Sequence, residues 1–573
     1  MNADTGTNAD MNTNRGTSAE APAENFMERL IREDMEAGTF SREVCTRFPP
    51  EPNGYLHIGS AFAILTNYTL AQAFKGRFHL RFDDTNPLKE DMEYVNAILE
   101  DMEWLGANPG GHIYYGSDYS GEIYNCAEKL IRKGKAFVCD LTAEELTAAR
   151  GTLTAPGQDS PYRNRSVEEN LQLFREMRAG RYPNGAKVLR ARIDMASPNI
   201  NLRDPVLYRI IHARHYRSGD DWCIYPMYDF AHPIQDAIEG ITHSLCSLEF
   251  RDHRPLYEWV LEELEIPEPP MQREFGRVNL TGVITSKRYL RQLVAGGYVD
   301  GWDDPRLPTL RGLRRRGFTP ESIRRFVQEI GMVRNQSTVD FSLLEHCLRQ
   351  DLKAAAPCIM AVLRPLKVVL TNFSEGATEL LTLDNNSENS ALGTREVPIS
   401  RELYIERDDF MEEPSPGFRR LSPGGEVRLK GAYIIRCDEV IKDAGTGEIL
   451  ELHCTYDPDS RSGGPASGRK VKGTVHWVAA AQAVAAEVRL YEPLLKEEGG
   501  PAKGGDDWNE RLNPSSLTVL EHCLLEPYAQ AALPESKFQF MRQGYFTADK
   551  EPEAGLLVFH RIVPLKDGWK ARK

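Results

Sequence analysis

The chain has 573 residues, 41% of them hydrophobic and 27% charged, which excludes a wholly disordered chain, a collagen-like repeat and a short disulfide scaffold. A formal charge of −14 means that the average surface repels nucleic acid, so an RNA or DNA partner has to be held by local basic patches. No apolar run approaches the roughly 20 residues of a membrane span. The ten cysteines form no CxxC, CxC or Cys/His cluster, and the expectation is a reduced cytoplasmic protein without structural zinc.

Residues 1–24 hold no large apolar side chain beyond the occasional methionine and are expected to be a disordered tail. Structure is expected from Asn25, where Phe26, Leu30 and Ile31 have helical spacing. VCTRFPPEPN (44–53) reads as a strand and a proline-stiffened loop, GYLHIGSAFAILTNYTLAQAF as a turn into a helix, and RFHLRFDD as a second strand. Such a βαβ unit is normally parallel and right-handed, with ligands beyond the carboxyl ends of its strands. His57, Gly59 and the Asp83/Asp84 pair fall there.

Residues 118–227 read as an insertion. Strand character resumes at DWCIYPMYDF and helix character at HPIQDAIEGI. The stretch 290–355 is helical and rich in arginine, with eight arginines against two glutamates between Arg306 and Arg334. Beyond 356, short β runs such as KVVLTNF, EVRLKGAYIIR and KVKGTVHWVAA, punctuated by Gly, Pro, Asp and Asn, suggest β-barrels. The Gly/Asp-rich segment 496–507 reads as a loop.

Two triplets carry chemistry. In PPEPNGYLHIGS a histidine and a glycine run into a helix N-terminus, where free N–H groups and the helix dipole favour a nucleotide phosphate. In GVITSKRYL, Lys287 sits on a loop from which a cation could follow charge on a departing pyrophosphate. Taken alone, each triplet reads more readily as a satisfied, partly buried histidine or a solvated surface lysine.

In register along the chain stand RFPPEPNGYLHIGSA, LRFDDTNPLKED, RGTLTAPGQDSPYRNRSVEENL, CIYPMYDFAHPIQDAIEGITHSLCSLEF, SKR and GWDDPRLPTLRGLRRRG. Together they resemble the glutaminyl-tRNA synthetases of class I, from about residue 40 to beyond 540. The resemblance implies a multidomain α/β plus all-β chain. Its parts would be a Rossmann-type catalytic domain (25–117 and 228–289), an acceptor-end insertion (118–227), a helical subdomain (290–355) and two anticodon-binding β-barrels. The proximal barrel would span 356–475, with the C-terminal strand returning to it, the distal one 476–549, and 550–573 would be a C-terminal segment. It also implies ATP with Mg2+, glutamine and tRNA(Gln) as substrates. No metal bound by the protein itself, no obligate protein partner and a monomer are expected.

By the same resemblance, the first signature falls on His57, Ile58, Gly59 and Ser60, and the second on Thr285, Ser286 and Lys287. His57, Ser60, Ser286 and Lys287 would be catalytic. Glu51, Pro52, Asn53, Gly59, Ser247, Arg277, Val278 and Thr285 would line ATP with them. Asp83 would take the amino-acid ammonium, Tyr228 would read the side-chain amide, and Arg47, Glu90, His232 and Gln272 would line or support that pocket. Leu153 would open the last acceptor base pair and Asp252 would read guanines of the acceptor stem. The arginine-rich run, with Arg334, Arg419, Arg420, Arg428 and Lys430, would follow the tRNA. Ser60 departs from the pattern, which has a second histidine there. Cys358 departs too, at the place of a basic anticodon contact. The rival readings are a glutamyl-tRNA synthetase with a β-barrel module, which charging with both amino acids separates, and a non-catalytic RNA-binding paralogue, which pyrophosphate exchange separates.

Overall fold

The structure is a computed structural model describing residues 24–464, 468–471, 473–496, 507–550 and 555–569. The expected tail, except Glu24, and most of the 496–507 loop lie outside the described residues. The chain enters its first helix, Phe26–Glu36, at Asn25, whose side chain accepts from the Met27 and Glu28 amides while Glu28 accepts from the Asn25 amide. That reciprocal cap meets two N–H groups the helix cannot pair itself.

Strand Cys45–Phe48 is buried along its whole length, as a central parallel strand covered on both faces must be. It pairs in parallel with Arg77–Phe82, which pairs with Ile113–Tyr115. On its other side runs His243–Ser247, with the Thr242 amide donating to the Cys45 carbonyl at 3.0 Å, and beyond it Met271–Phe275, again parallel. The chain therefore winds outward from Cys45–Phe48 in one direction and returns to wind outward in the other. The gap between Cys45–Phe48 and His243–Ser247 is where the strand order reverses, and a ligand crevice is expected at the carboxyl ends there.

Residues 118–227 build an antiparallel sheet of Ala136–Cys139, Val188–Ala191, Val206–Ile210 and Ile224–Pro226. Its apolar core is continuous with Phe230, Ile234, Leu256 and Val260 of the following helices, so the insertion is fused to the catalytic sheet. The expected strand DWCIYPMYDF is only Ile224–Pro226; Tyr228–Phe230 already form the first turn of helix Tyr228–Ile238. The helical stretch shares one core with the sheet, Leu310, Ile323, Phe326 and Leu348 meeting Leu80, Phe82 and Ile98.

Two seven-stranded sheets follow, each nearly closed because its two edge strands are neighbours in sequence. The strand allocation differs from that expected. One barrel is 365–479, and the other combines Cys358–Ile359 and Ala361–Val362 with strands from Val484 to Pro564. The second is the one seated on the helical stretch, where Arg316 Nε donates to the Ile562 carbonyl at 3.1 Å and Arg349 Nε to that of Pro564 at 2.9 Å. It is therefore the proximal barrel. Strand Leu557–Pro564, the C-terminal strand expected to return to the proximal barrel, lies between Gly544–Ala548 and Val484–Tyr491 within it. Among the described residues no helix is long and apolar enough to cross a membrane.

Candidate active site

A cavity of about 420 Å3 opens at the reversal of strand order, and Arg47, Glu51, His57, Gly59, Ser60, Asp83, Tyr228, Ser247, Arg277, Val278 and Thr285 all line it. His57 is the residue before helix Ile58–Ala73, and the Gly59 amide donates to its Nδ1 at 3.0 Å. The remaining proton therefore sits on Nε2, leaving that nitrogen as a donor. A Cβ on Gly59 would stand 2.8 Å from the imidazole Cε1, so the spacing His-x-Gly is what lets the ring fold over the helix start. Burial first, then Lys287 and Arg277, push the imidazole down to about 4. His57 thus faces the cavity as a neutral donor. The Ser60 hydroxyl accepts from the His57 amide at 3.4 Å. Ser60 thus completes a helix cap while still lining the cavity.

Lys287 begins helix Lys287–Ala295, and its Nζ donates to Asn53 Oδ1 at 2.7 Å. Asn53 in turn contacts Glu51. The two signature loops are thereby tied together across the cavity mouth, with Pro52, Asn53, Ser286 and Lys287 beside the lining. Burial, with Arg291 nearby, lowers the affinity of Lys287 for its proton despite Glu51.

Deeper in, Asp83 is buried and its Oδ1 has no hydrogen-bond partner. Burial pushes this carboxyl up to about 7; Arg81 opposes the rise, and Glu51 and Asp84 add to it. A bare carboxylate facing a cavity is a poor fold element and a good receptor for an ammonium ion. The phenol of Tyr228 is held well above its ordinary range, mainly by burial, so it remains a neutral hydroxyl.

Behind this wall lies a filled network that sequence reasoning only partly found. Asp236 accepts from Arg47 Nε at 3.1 Å, Arg81 Nη1 at 2.8 Å, Ser244 at 2.7 Å and Tyr257 at 3.0 Å. Burial opposes ionisation, but Arg47, His232 and Arg81 outweigh it and hold Asp236 well below the carboxylate range. His232 stacks on Tyr228 at 4.8 Å, between Arg47 and Arg81. Burial pushes its imidazole well down, against the pull of Asp236. Three expected pocket residues thus stand behind the cavity: His232 in this network, Gln272 donating to the Phe250 carbonyl at 3.1 Å, and Glu90 set against His215 at 3.4 Å. Asp236 sits one helical turn after His232 within HPIQD, a spacing that puts both on one face but did not mark either as part of a charge network. Cys246, Glu249 and Phe250, which also line the cavity, carried no signal of their own.

The RNA-facing expectations divide. Leu153 is 79% exposed on the loop after helix Ala143–Arg150, and the Asp252 side chain is 77% exposed. Arg334, Arg419 and Lys430 are exposed, whereas Arg420 is turned onto Asp409 at 3.1 Å. The Arg428 guanidinium donates to the Ser460 carbonyl at 2.7 Å, so it holds a loop of its own barrel. The basic run is largely spoken for: Arg311 pairs with Glu100, Arg314 with Glu535, Arg315 with Asp303 and Asp549, and Arg316 with Glu345. These arginines rivet the helical stretch to the sheet and the proximal barrel. Cys358 is half-buried, with Arg395, Glu526 and Lys430 as its charged neighbours.

The family model described as "tRNA synthetases class I (E and Q), catalytic domain" matches residues 43–354, and two anticodon-binding models of the same family match 356–457 and 474–549. The chain belongs to the class I tRNA synthetases for glutamate and glutamine. A Clostridium perfringens protein named glutamine--tRNA ligase is 55% identical over 96% of this chain and 99% of its own length. A protein of the same name from Pseudomonas syringae is 55% identical over 95% of each. A solved glutamate tRNA ligase from Elizabethkingia meningosepticum is 20% identical, covering 54% of this chain and 70% of its own, with a TM-score of 0.41.

Proposed function

We propose that the chain is a glutamine--tRNA ligase, joining glutamine to the terminal adenosine of tRNA(Gln) through a glutaminyl-adenylate. The observation that carries the choice of amino acid is the saturation of Arg47. Its Nε is taken by Asp236, its Nη1 by the Leu245 carbonyl at 2.9 Å and its Nη2 by Ser244 at 2.7 Å beside His232. The inner cavity therefore offers Asp83 for the ammonium and the neutral Tyr228 hydroxyl for a side chain, while the Arg47 guanidinium is already engaged by its own partners rather than held ready for a γ-carboxylate. A glutamine amide satisfies such a site; a glutamate anion enters it unpaired.

In the first step the glutamine carboxylate attacks the α-phosphorus of ATP and pyrophosphate leaves. His57 Nε2–H donates to phosphate oxygen, the helix start behind it adds its dipole, and Lys287 leaves Asn53 to follow the charge on the departing pyrophosphate. Among the described residues no cluster of three or more His, Cys, Asp or Glu side chains could hold a metal. Magnesium belongs with the ATP phosphates as part of the substrate, and no step here runs through it. In the second step the terminal 2′-hydroxyl attacks the activated carbonyl and AMP leaves; no protein nucleophile takes part.

The ties between the insertion and the amino-acid site support a requirement for tRNA in the first step. From the insertion, the Tyr216 hydroxyl donates to the side chain of Asp84, the neighbour of Asp83, at 2.9 Å, and His215 Nε2 lies 3.0 Å from the Asp84 carbonyl. Motion of the insertion on binding RNA is therefore passed to the segment that carries Asp83. ATP–pyrophosphate exchange tests this: glutamine-dependent exchange only with tRNA present is expected, and equal exchange without tRNA would overturn the coupling.

A further inference from the structure

The two residues assigned to the acceptor stem, Leu153 and Asp252, lie about a hundred positions apart, yet one short segment holds both. We propose that residues 199–203 form a bracket that sets the wedge loop and the guanine-reading turn relative to one another, with Arg203, Asn199 and Asn201 as positioning residues. The proposal rests on the reading of Leu153 and Asp252 given above.

Arg203 is 3% exposed, and its Nη1 lies within hydrogen-bond distance of three carbonyls of the wedge loop: Arg150 at 3.0 Å, Thr152 at 2.8 Å and Ala155 at 2.9 Å. Its Nε donates to the Ser197 carbonyl at 2.7 Å, which fixes the guanidinium plane. The loop closes tightly around that nitrogen. The Thr152 amide donates to the Ala155 carbonyl at 3.1 Å, and Gly151 turns at φ +74° where a Cβ would meet the Ala155 and Pro156 carbonyls at 2.7 and 2.6 Å. Leu153 is thus an exposed apolar side chain on a loop whose backbone is pinned on both sides of it. A wedge that displaces a stacked base is of use only if it does not retreat under load.

Two positions and four positions back from Arg203, Asn201 Nδ2 and Asn199 Nδ2 both donate to the Asp252 carbonyl, at 3.1 and 2.8 Å. Asn199 Oδ1 accepts from the Asn201 amide at 3.0 Å, so the two amides are oriented by one turn. The far end is anchored by Asp204, buried at φ +42° and held by Arg163 Nε at 2.6 Å and the Ile193 amide at 2.8 Å. The Asp252 side chain is left to solvent while its backbone is fixed.

Charging of two tRNA substrates tests the bracket: one with a paired first acceptor base pair and one with that pair mismatched. Arg203→Lys, which keeps the charge and gives up the planar fork, is expected to lower kcat on the paired tRNA by about 10- to 100-fold, the scale of a misplaced positioning element. The mismatched tRNA should recover most of that loss, as it should for Leu153→Ala. The double variant Asn199→Ala/Asn201→Ala touches only partly exposed side chains and carries the test should Arg203→Lys not fold. It is expected to flatten the preference for guanine at the acceptor-stem positions that Asp252 reads, with KM for glutamine unchanged. Rescue of Leu153→Ala but not of Arg203→Lys, with guanine preference intact in the double variant, would overturn the bracket alone. Charging of both tRNAs at the wild-type rate by Leu153→Ala would instead overturn the reading of the wedge, and the bracket with it.

Discussion

Replacing Asp83 by asparagine separates function from stability in opposite directions. The carboxyl is raised from 3.8 to about 7 by burial, so the folded chain binds a proton that the unfolded chain has released. Its stability contribution is present at low pH and is lost as pH rises from about 4 to about 7. Three units at 1.36 kcal/mol each set a ceiling of about 4 kcal/mol on the cost of the ionised group at pH 8. The asparagine amide has its own burial cost of about 1–3 kcal/mol, independent of pH, so the variant should be the more stable protein at pH 8 by about 1–3 kcal/mol. That advantage should shrink by about 3 kcal/mol at pH 5, because some two of the three units titrate between the two conditions. Hydrogen-exchange protection of the Arg77–Phe82 amides, measured at both pH values, reads this locally in a chain too large for one unfolding transition. The same variant should lose about 2–5 kcal/mol of glutamine binding, roughly 30- to several-thousand-fold in KM. An Asp83→Asn protein that binds glutamine normally, or whose stability relative to the wild type does not change with pH, would refute the bare-carboxylate argument.

Lys287→Ala should depress adenylate formation by about 10²–10³, the scale of one transition-state electrostatic donor, while tRNA affinity in a filter-binding assay stays unchanged; a collapse of binding would make the lysine a docking residue. Ser60→Ala should cost under about 1 kcal/mol of stability, since the capping bond it removes is long, with kcat within a few-fold of the wild type by steady-state charging. His57 stays neutral above its value of about 4, so the acid limb of kcat/KM for glutamine should fall near pH 7 with Asp83 and show no second inflection between pH 5.5 and 6.5. Arg428→Ala should loosen the Ser460 loop, detected as faster amide exchange there, and weaken anticodon discrimination only through that loop.

The local chemistry of the site was legible in the chain because it is local. His57 and Gly59 explain each other within three residues, and Asp83 follows directly from a strand end. What was not legible depends on partners far away in sequence. The arginines of 306–334 read as an RNA track, yet three of them, Arg311, Arg314 and Arg315, pair with Glu100, Glu535, Asp303 and Asp549. Barrel membership likewise turns on pairs such as Cys358 with Gln539 and Ala486 with Leu557, which no alternation of apolar residues discloses. Nothing in EVRLKGAYIIR shows that the Ser460 carbonyl lies within reach of Arg428.

The central claim is that the inner cavity is built for an amide and against an anion. Steady-state charging of one tRNA(Gln) preparation with glutamine and with glutamate tests it most directly. A site whose polar groups demand the amide should favour glutamine by about 10⁴–10⁵ in kcat/KM. A ratio near unity, or a preference for glutamate, would contradict the assignment of Arg47 as a spent cation and Tyr228 as the amide's partner.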